Sequence, residues 1–528
     1  MQKSEKPSGG ILMKRNMHLY LFVCVLAVLL LTTVSASAQQ SCESLVSIQM
    51  PHVIFTSATA ITPPWEIPPT SGMFGTPAGQ MVNVPFCRVE GFSAPTGDSH
   101  IGFEVWLPLA DKWNGKLLAV GNPGFIGGVA RGALSGIVQR GYVAVSTDTG
   151  HTEEGYFWAV GHPEKLVDWG YRAVHETAVV AKQLIQTHYG KPVQHSYWSS
   201  CHNGGNQGLN EAQRYPDDFD GIVAGDPAYY VSRLQAGSLY IGWVSLKDGM
   251  KAPGYIQPSK YPAMHRAALD ACDAKDGLVD GIIENPPACR YDPVVMRCHG
   301  HDQPSCLTDA QVETARKIYA GAKFNDGTQI YSGFEPGTEL GWAMMAGGPD
   351  PLSLSAGYFK GMVFENRDWD FRTFDPDRDT RLAEKRTGAA VDGINPNLKP
   401  FKQSGGKLIL YQSWNETTIP PRSIIDYYKS VEKTMGDPGQ TEDFVRLFMV
   451  PGLGMCPGFG KAEDFDTLEA IQQWVEKGVA PDRVLAQHRD DNGAVFRTRP
   501  VCAYPKVAKY KGNGDPDNAA DFDCVMPE

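Results

Sequence analysis

Tyr197-Trp198-Ser199-Ser200-Cys201-His202-Asn203-Gly204-Gly205-Asn206-Gln207-Gly208-Leu209 is the stretch from which the rest of the chain is read. A β-favouring run enters a tight glycine turn and leaves as a helix. This is the pattern of a nucleophile elbow, where a strained strand-to-helix turn pushes one side chain into an active site. The tip of such a turn ordinarily carries serine. Here it carries His202, and no G-x-S-x-G occurs elsewhere in the chain.

Working outward, apolar runs at Ile101 to Leu107, Lys116 to Val120 and Tyr142 to Thr147 precede a helical pattern at Val174 to His188. Ser196 to Ser200 and Phe219 to Ala224 read as strands on either side of the elbow helix. Strands alternating with helices predict a mostly parallel sheet, hence an α/β fold. From Pro227 to Leu398 that rhythm stops, and Gly, Pro, aromatics and cysteines dominate. It resumes with a strand at Lys407 to Tyr411, a helix near Arg422 to Lys433, a strand at Val445 to Val450 and a helix near Asp466 to Lys477. The expectation is an α/β-hydrolase fold with a large lid insertion. Residues 39–226 and 398–528 form the two parts of the core, and 227–397 form the lid.

At 528 residues with 42% hydrophobic and 20% charged residues, the chain is globular and long enough for a core plus an insertion. Its net charge of -11 argues against nucleic acid or an anionic membrane surface as partner. Lys14 and Arg15, an apolar run from Leu19 to Leu31, and Ala36-Ser37-Ala38 read as a signal peptide over residues 1–38. The expected location is secreted or periplasmic, with no membrane contact after cleavage. Of eleven cysteines, Cys24 lies in the leader, and the even number left in an exported chain implies disulfides.

Gly121-Asn-Pro-Gly124-Phe follows the second core strand, where a hydrolase of this class places an oxyanion N–H donor; otherwise it is a turn that needs glycine. Asp273-Ala-Lys-Asp276-Gly-Leu278-Val-Asp280-Gly-Ile282 places three carboxylates among backbone carbonyls, between Cys272 and Cys289. That donor set suits Ca2+; the plainer reading is a solvated acidic turn. Cys201 and Cys456 read as a disulfide joining two loops or as a reactive thiol, and the even count favours the disulfide. His175 reads as a structural histidine at a helix start or as a group near the chemistry.

These motifs together resemble the tannase/feruloyl esterase family, over almost the whole mature chain. The markers are Ser146-Thr-Asp-Thr-Gly-His151, Gly208-Leu-Asn-Glu-Ala-Gln-Arg-Tyr-Pro216, Asp218-Phe-Asp-Gly-Ile-Val-Ala-Gly225, the Asp273 loop, Phe448-Met-Val-Pro-Gly-Leu-Gly454 and Arg497-Thr-Arg-Pro500. The resemblance implies disulfides Cys42–Cys87, Cys201–Cys456, Cys272–Cys289, Cys298–Cys306 and Cys502–Cys524. It implies a structural Ca2+ held by Asp273, Asp276 and Asp280 side chains and the Leu278 and Ile282 carbonyls. It places oxyanion donors at the backbone N–H groups of Gly124 and Asn203, and a small aromatic or phenolic molecule as the partner.

The catalytic triad departs from the pattern. Where the family has Ser, Asp and His, this chain has His202, Glu416 and Met455. A thioether takes no proton at working pH, so Met455 cannot activate a nucleophile. A serine acyl-enzyme cycle is therefore not expected. Three readings remain. His202 with Glu416 is competent for general acid–base chemistry: elimination, isomerisation, cyclisation or base-assisted hydrolysis. Alternatively the chain is a pseudoenzyme that binds a phenolic ligand. The third is residual ester hydrolysis by a shifted serine, Ser200 or Ser199.

Overall fold

The computed structural model describes residues 1–5, 40–70, 76–153, 155–456, 463–490 and 492–527. The apolar run and the cleavage site expected of a signal peptide fall outside the described residues. No helix among the described residues is long and apolar enough to cross a membrane.

Nine strands build the central sheet: β1 (Val53–Ile61), β2 (Phe86–Ser93), β3 (Ile101–Pro108), β4 (Lys116–Ala119), β5 (Val143–Thr147), β6 (His195–Cys201), β7 (Gly221–Gly225), β8 (Lys407–Ser413) and β9 (Val445–Val450). The helices named below are α1 (Arg131–Gln139), α2 (Ala173–Tyr189), α3 (Asn203–Arg214), α4 (Val231–Leu246), α5 (Tyr261–Cys272), α6 (Asp309–Ala320), α7 (Arg422–Met435) and α8 (Thr467–Lys477). The strand order is β1-β2-β3-β5-β4-β6-β7-β8-β9. Pairing is antiparallel from β1 to β5 and parallel from β5 through β9.

Every residue of β5 and β7 is buried. Parallel strands covered on both faces read as unbroken apolar runs, which is why these segments stand out in the sequence. Alternate side chains serve opposite faces. Leu117, Val143, Val145 and Trp198 pack with Val174, Ala181 and Leu184 of α2. Leu118, Ala144, Tyr197 and Ile409 pack with Leu134 and Val138 of α1 and with Ile471 and Trp474 of α8.

Among the described residues no strand joins this sheet between β7 and β8. That interval holds α4, α5 and α6 and a core of its own around Met264, Phe334, Trp342 and Met345. It also packs on the loop after β4: Phe125 stacks on Trp169 at 4.7 Å and on Tyr358 at 5.7 Å. Five disulfides, Cys42–Cys87, Cys201–Cys456, Cys272–Cys289, Cys298–Cys306 and Cys502–Cys524, are the pairs that the resemblance implies.

Candidate active site

The turn between β6 and α3 is a true elbow. His202 has φ 58° and ψ −118°, a left-handed conformation that a non-glycine residue adopts only under constraint. The constraint is visible. The His202 N–H donates to the Gly225 carbonyl at 3.0 Å, and its own carbonyl accepts from the N–H groups of Asn206 and Ala228, each at 3.1 Å. Glycine is required behind the tip, because a Cβ at Gly205 would stand 2.4 Å from the Gly225 carbonyl.

Glu416 lies in the turn that leaves β8 and is fully buried. Its Oε2 is 3.0 Å from His202 Nε2. Its other oxygen accepts from the N–H and, at 2.6 Å, the hydroxyl of Thr418, so the carboxylate is fixed at both ends. Asn415 pins the turn further: Nδ2 donates to the Gly337 carbonyl at 2.7 Å, and Oδ1 accepts from Gly452 N–H at 3.1 Å. Met455 is half-buried beside Cys456. The Cys201–Cys456 disulfide bonds the residue before His202 to the residue after Met455.

Electrostatics favour a protonated ring. Burial opposes the charge on His202, but the hydrogen bond and charge of Glu416, then the charge of Asp226, outweigh it. The imidazole therefore keeps its proton above its ordinary range. Asp226 is fully buried in the turn after β7. Burial first, and then the charge of Glu416, push its carboxyl up to about 7.

The loop after β4 is held open by Asn122. Its Nδ2 donates to the Gly128 and Thr147 carbonyls at 2.6 and 3.0 Å, and its N–H donates to Gln207 Oε1 at 3.2 Å. Gly124 has φ 52°, and a Cβ there would lie 3.0 Å from Leu354 in the insertion. Asn203 opens α3 next to the tip. His151 braces the loop: Nε2 lies 3.0 Å from the Phe125 carbonyl, and the ring stacks on Trp158 at 3.9 Å. Burial first lowers its pKa to about 4, which keeps it neutral.

Other sequence candidates fall elsewhere. Ser200 Oγ accepts from the Gly121 N–H at 3.2 Å and packs against Gly204, so it joins the loop to α3. His175 pairs through Nδ1 with Asp218 at 2.6 Å and stacks on Tyr215 at 3.8 Å, a structural arrangement. His488 lies on the strand Arg483–Arg489 in the small C-terminal sheet. Asp226 and its partner Ser413 were not singled out in the sequence.

In the acidic loop, Asp273 is buried, and Gly277 and Gly281 have φ of 98° and 82°. Asp273 accepts from the Asp280 and Gly281 N–H groups at 3.3 and 3.0 Å; Asp276 and Asp280 accept from Leu278 and Ile282 N–H at 3.0 and 3.2 Å. Arg499 reaches Asp280 at 3.0 Å. Burial, then the charges of Asp280 and Asp273, push Asp276 up to about 6. Such crowding of oxygen donors fits a hard cation, although each carboxylate is turned back on the backbone here. Among the described residues, Cys201, His202 and Cys456 form the group of potential ligands whose atoms all lie within 4.8 Å of one another. The two sulfurs are bonded to each other, so His202 is its one free ligand.

Residues 87–525 match the sequence profile of the family described as tannase and feruloyl esterase. An uncharacterized esterase of Xanthomonas campestris pv. campestris is 36% identical, over 94% of this chain and 92% of its own. A probable feruloyl esterase B-1 of Aspergillus fumigatus is 31% identical, over 93% of this chain and 96% of its own. The crystal structure of feruloyl esterase B from Aspergillus oryzae superposes with a TM-score of 0.84 at 28% identity, covering 92% of this chain and 100% of that one. Tannin acyl hydrolase from Aspergillus niger superposes with a TM-score of 0.76 at 22% identity, covering 92% and 95%, and shows the shared fold alone.

Proposed function

Because this chain belongs to the tannase and feruloyl esterase family, we propose that it is an exported protein acting on an aromatic, phenolic substrate, with His202 as general base instead of a serine nucleophile. The observation that carries the reading is the 3.0 Å contact between His202 Nε2 and the buried Glu416 carboxylate at the tip of the elbow. With Nε2–H donating to Glu416, the free lone pair of the neutral ring is on Nδ1. That nitrogen takes a proton from substrate or from an attacking water, and Glu416 stabilises the imidazolium formed. The proton then returns to the leaving group or product. Backbone N–H groups of Gly124 and Asn203 would receive the developing oxyanion. The cycle needs no covalent intermediate, and covers elimination, isomerisation, cyclisation or base-assisted hydrolysis.

Five disulfides support export to an oxidising compartment. Asp273, Asp276 and Asp280, with the Leu278 and Ile282 carbonyls, would hold a structural Ca2+. Its role there is to stiffen the loop beside the C-terminal sheet.

The test is product analysis by mass spectrometry on a panel of phenolic esters, ethers and unsaturated aromatics, with wild type beside His202→Ala. Products lost in the variant support the reading; products unchanged in the variant overturn it. Met455, a thioether where the family places its base, favours a second reading: a binding protein that no longer turns over. Saturable binding with the ligand recovered unaltered across the panel would support that one.

A further inference from the structure

A second carboxylate stands behind the His202–Glu416 pair and takes no part in the chemistry derived above. Asp226 has φ 37° and is fully buried. A left-handed non-glycine residue and a buried carboxylate are each unfavourable, and a plain turn needs neither. The side chain is gripped on both oxygens by one residue. Oδ1 accepts from the Ser413 N–H at 2.6 Å, and Oδ2 accepts from the Ser413 hydroxyl at 2.9 Å. Oδ2 is also 3.6 Å from Cys201 Sγ, next to the elbow tip. Ser413 ends β8, and its carbonyl accepts from the Glu416 N–H at 3.3 Å. The residue before Asp226 and the residue two after it both bond to the His202 backbone, through the Gly225 carbonyl and the Ala228 N–H. One buried side chain thus ties the turn carrying the base to the turn carrying its acid.

We propose that Asp226 is a positioning residue of this site: its carboxylate fixes the Ser413–Glu416 turn, and its charge sets how firmly His202 holds a proton. This rests on the reading of His202 as the working base. The titratable groups that act on Asp226 are Glu416 from the acid turn, His202 from the elbow and the Tyr411 phenol from β8. With Asp226 neutral, the imidazolium is balanced by Glu416 alone. With Asp226 ionised, a second negative charge holds the proton on the ring. The two groups titrate as a coupled set.

The experiment is NMR of the full chain labelled at histidine, following the His202 ring signals through a pH titration; their assignment comes from their loss in His202→Ala. The wild type is expected to titrate in two overlapping steps. Asp226→Asn, which keeps the shape of the side chain, is expected to give one step, lower by about one pH unit. Ser413→Ala removes one donor from the carboxylate without touching His202, and moves the upper step to higher pH. A His202 curve in folded Asp226→Asn that superimposes on the wild type overturns the proposal. If that variant does not fold, an unchanged curve in Ser413→Ala does so. No turnover is needed, so the outcome is separate from that of the product analysis: conversion can depend on His202 while the titration ignores Asp226, and the reverse.

Discussion

His202 Nε2 and Glu416 Oε2 stand 3.0 Å apart although the residues are 214 positions apart in the chain. The resemblance to the family implies a histidine on a third loop, between the elbow tip and the acid. Here that loop carries Met455, and the acid, one methylene longer than aspartate, reaches the tip directly. On the proposed reading, a two-residue pair stands where the resemblance implies a three-residue relay.

Glu416→Gln keeps the shape and removes the charge that stabilises the imidazolium. We expect turnover to fall by about 10²-fold, with Glu416→Asp less impaired. Steady-state kinetics on the first substrate found by product analysis checks this; equal rates in Glu416→Gln and wild type would remove the acid from the account.

A base must be neutral to accept a proton. His202 holds its proton above the ordinary imidazole range, near 6.5, so turnover should rise with pH through a midpoint above that value. In Glu416→Gln the midpoint should move to lower pH. A pH–rate profile shows both.

Stability should run the other way. The raised pKa of His202 contributes stability that is fully present below its unfolded value and lost as pH rises through the folded value. Asp226, raised from 3.8 to about 7, also binds its proton more tightly in the folded state, so stability falls across that interval. Calorimetry at pH 5 and pH 8 should show a lower midpoint at pH 8, with a smaller difference in Asp226→Asn.

Glu211 offers an independent check. It is fully buried, and its carboxyl group hydrogen-bonds with that of Asp218. Burial first, and then the charge of Asp218, hold its pKa well above the usual carboxylate range. A raised carboxyl destabilises the fold as pH rises above 4.5, its ordinary value. Glu211→Gln should therefore be close to neutral at pH 5 and stabilising by about 1–2 kcal/mol at pH 8, read from denaturant unfolding.

A Ca2+ held at the Asp273 loop, as proposed above, would stabilise the folded chain by mass action. Chelation should lower the thermal midpoint by a few degrees, restored by added Ca2+ and not by Mg2+, which sheds its waters reluctantly and seldom binds in an all-protein cage. A midpoint indifferent to the chelator would remove the ion.

Much of the core was legible because buried parallel strands are unbroken apolar runs bounded by turns, as at Val143–Thr147 and Gly221–Gly225. β1 was not, since it mixes exposed and buried positions without clean alternation. Nor was α4: twelve of its sixteen residues are buried, so no polar face marks a helical period. At the site, His202, Glu416 and Met455 stood out against a known pattern. Asp226 did not, because its role depends on Ser413, 187 positions away, and nothing local to Gly-Asp-Pro announces that partner.

The most direct measurement is intact-protein mass spectrometry of the protein quenched during incubation with substrate, alongside fluorophosphonate labelling. The account predicts continued product formation, no acyl adduct and no labelled serine, with conversion abolished in His202→Ala. An adduct or label on Ser199 or Ser200, with conversion surviving in His202→Ala, would contradict it.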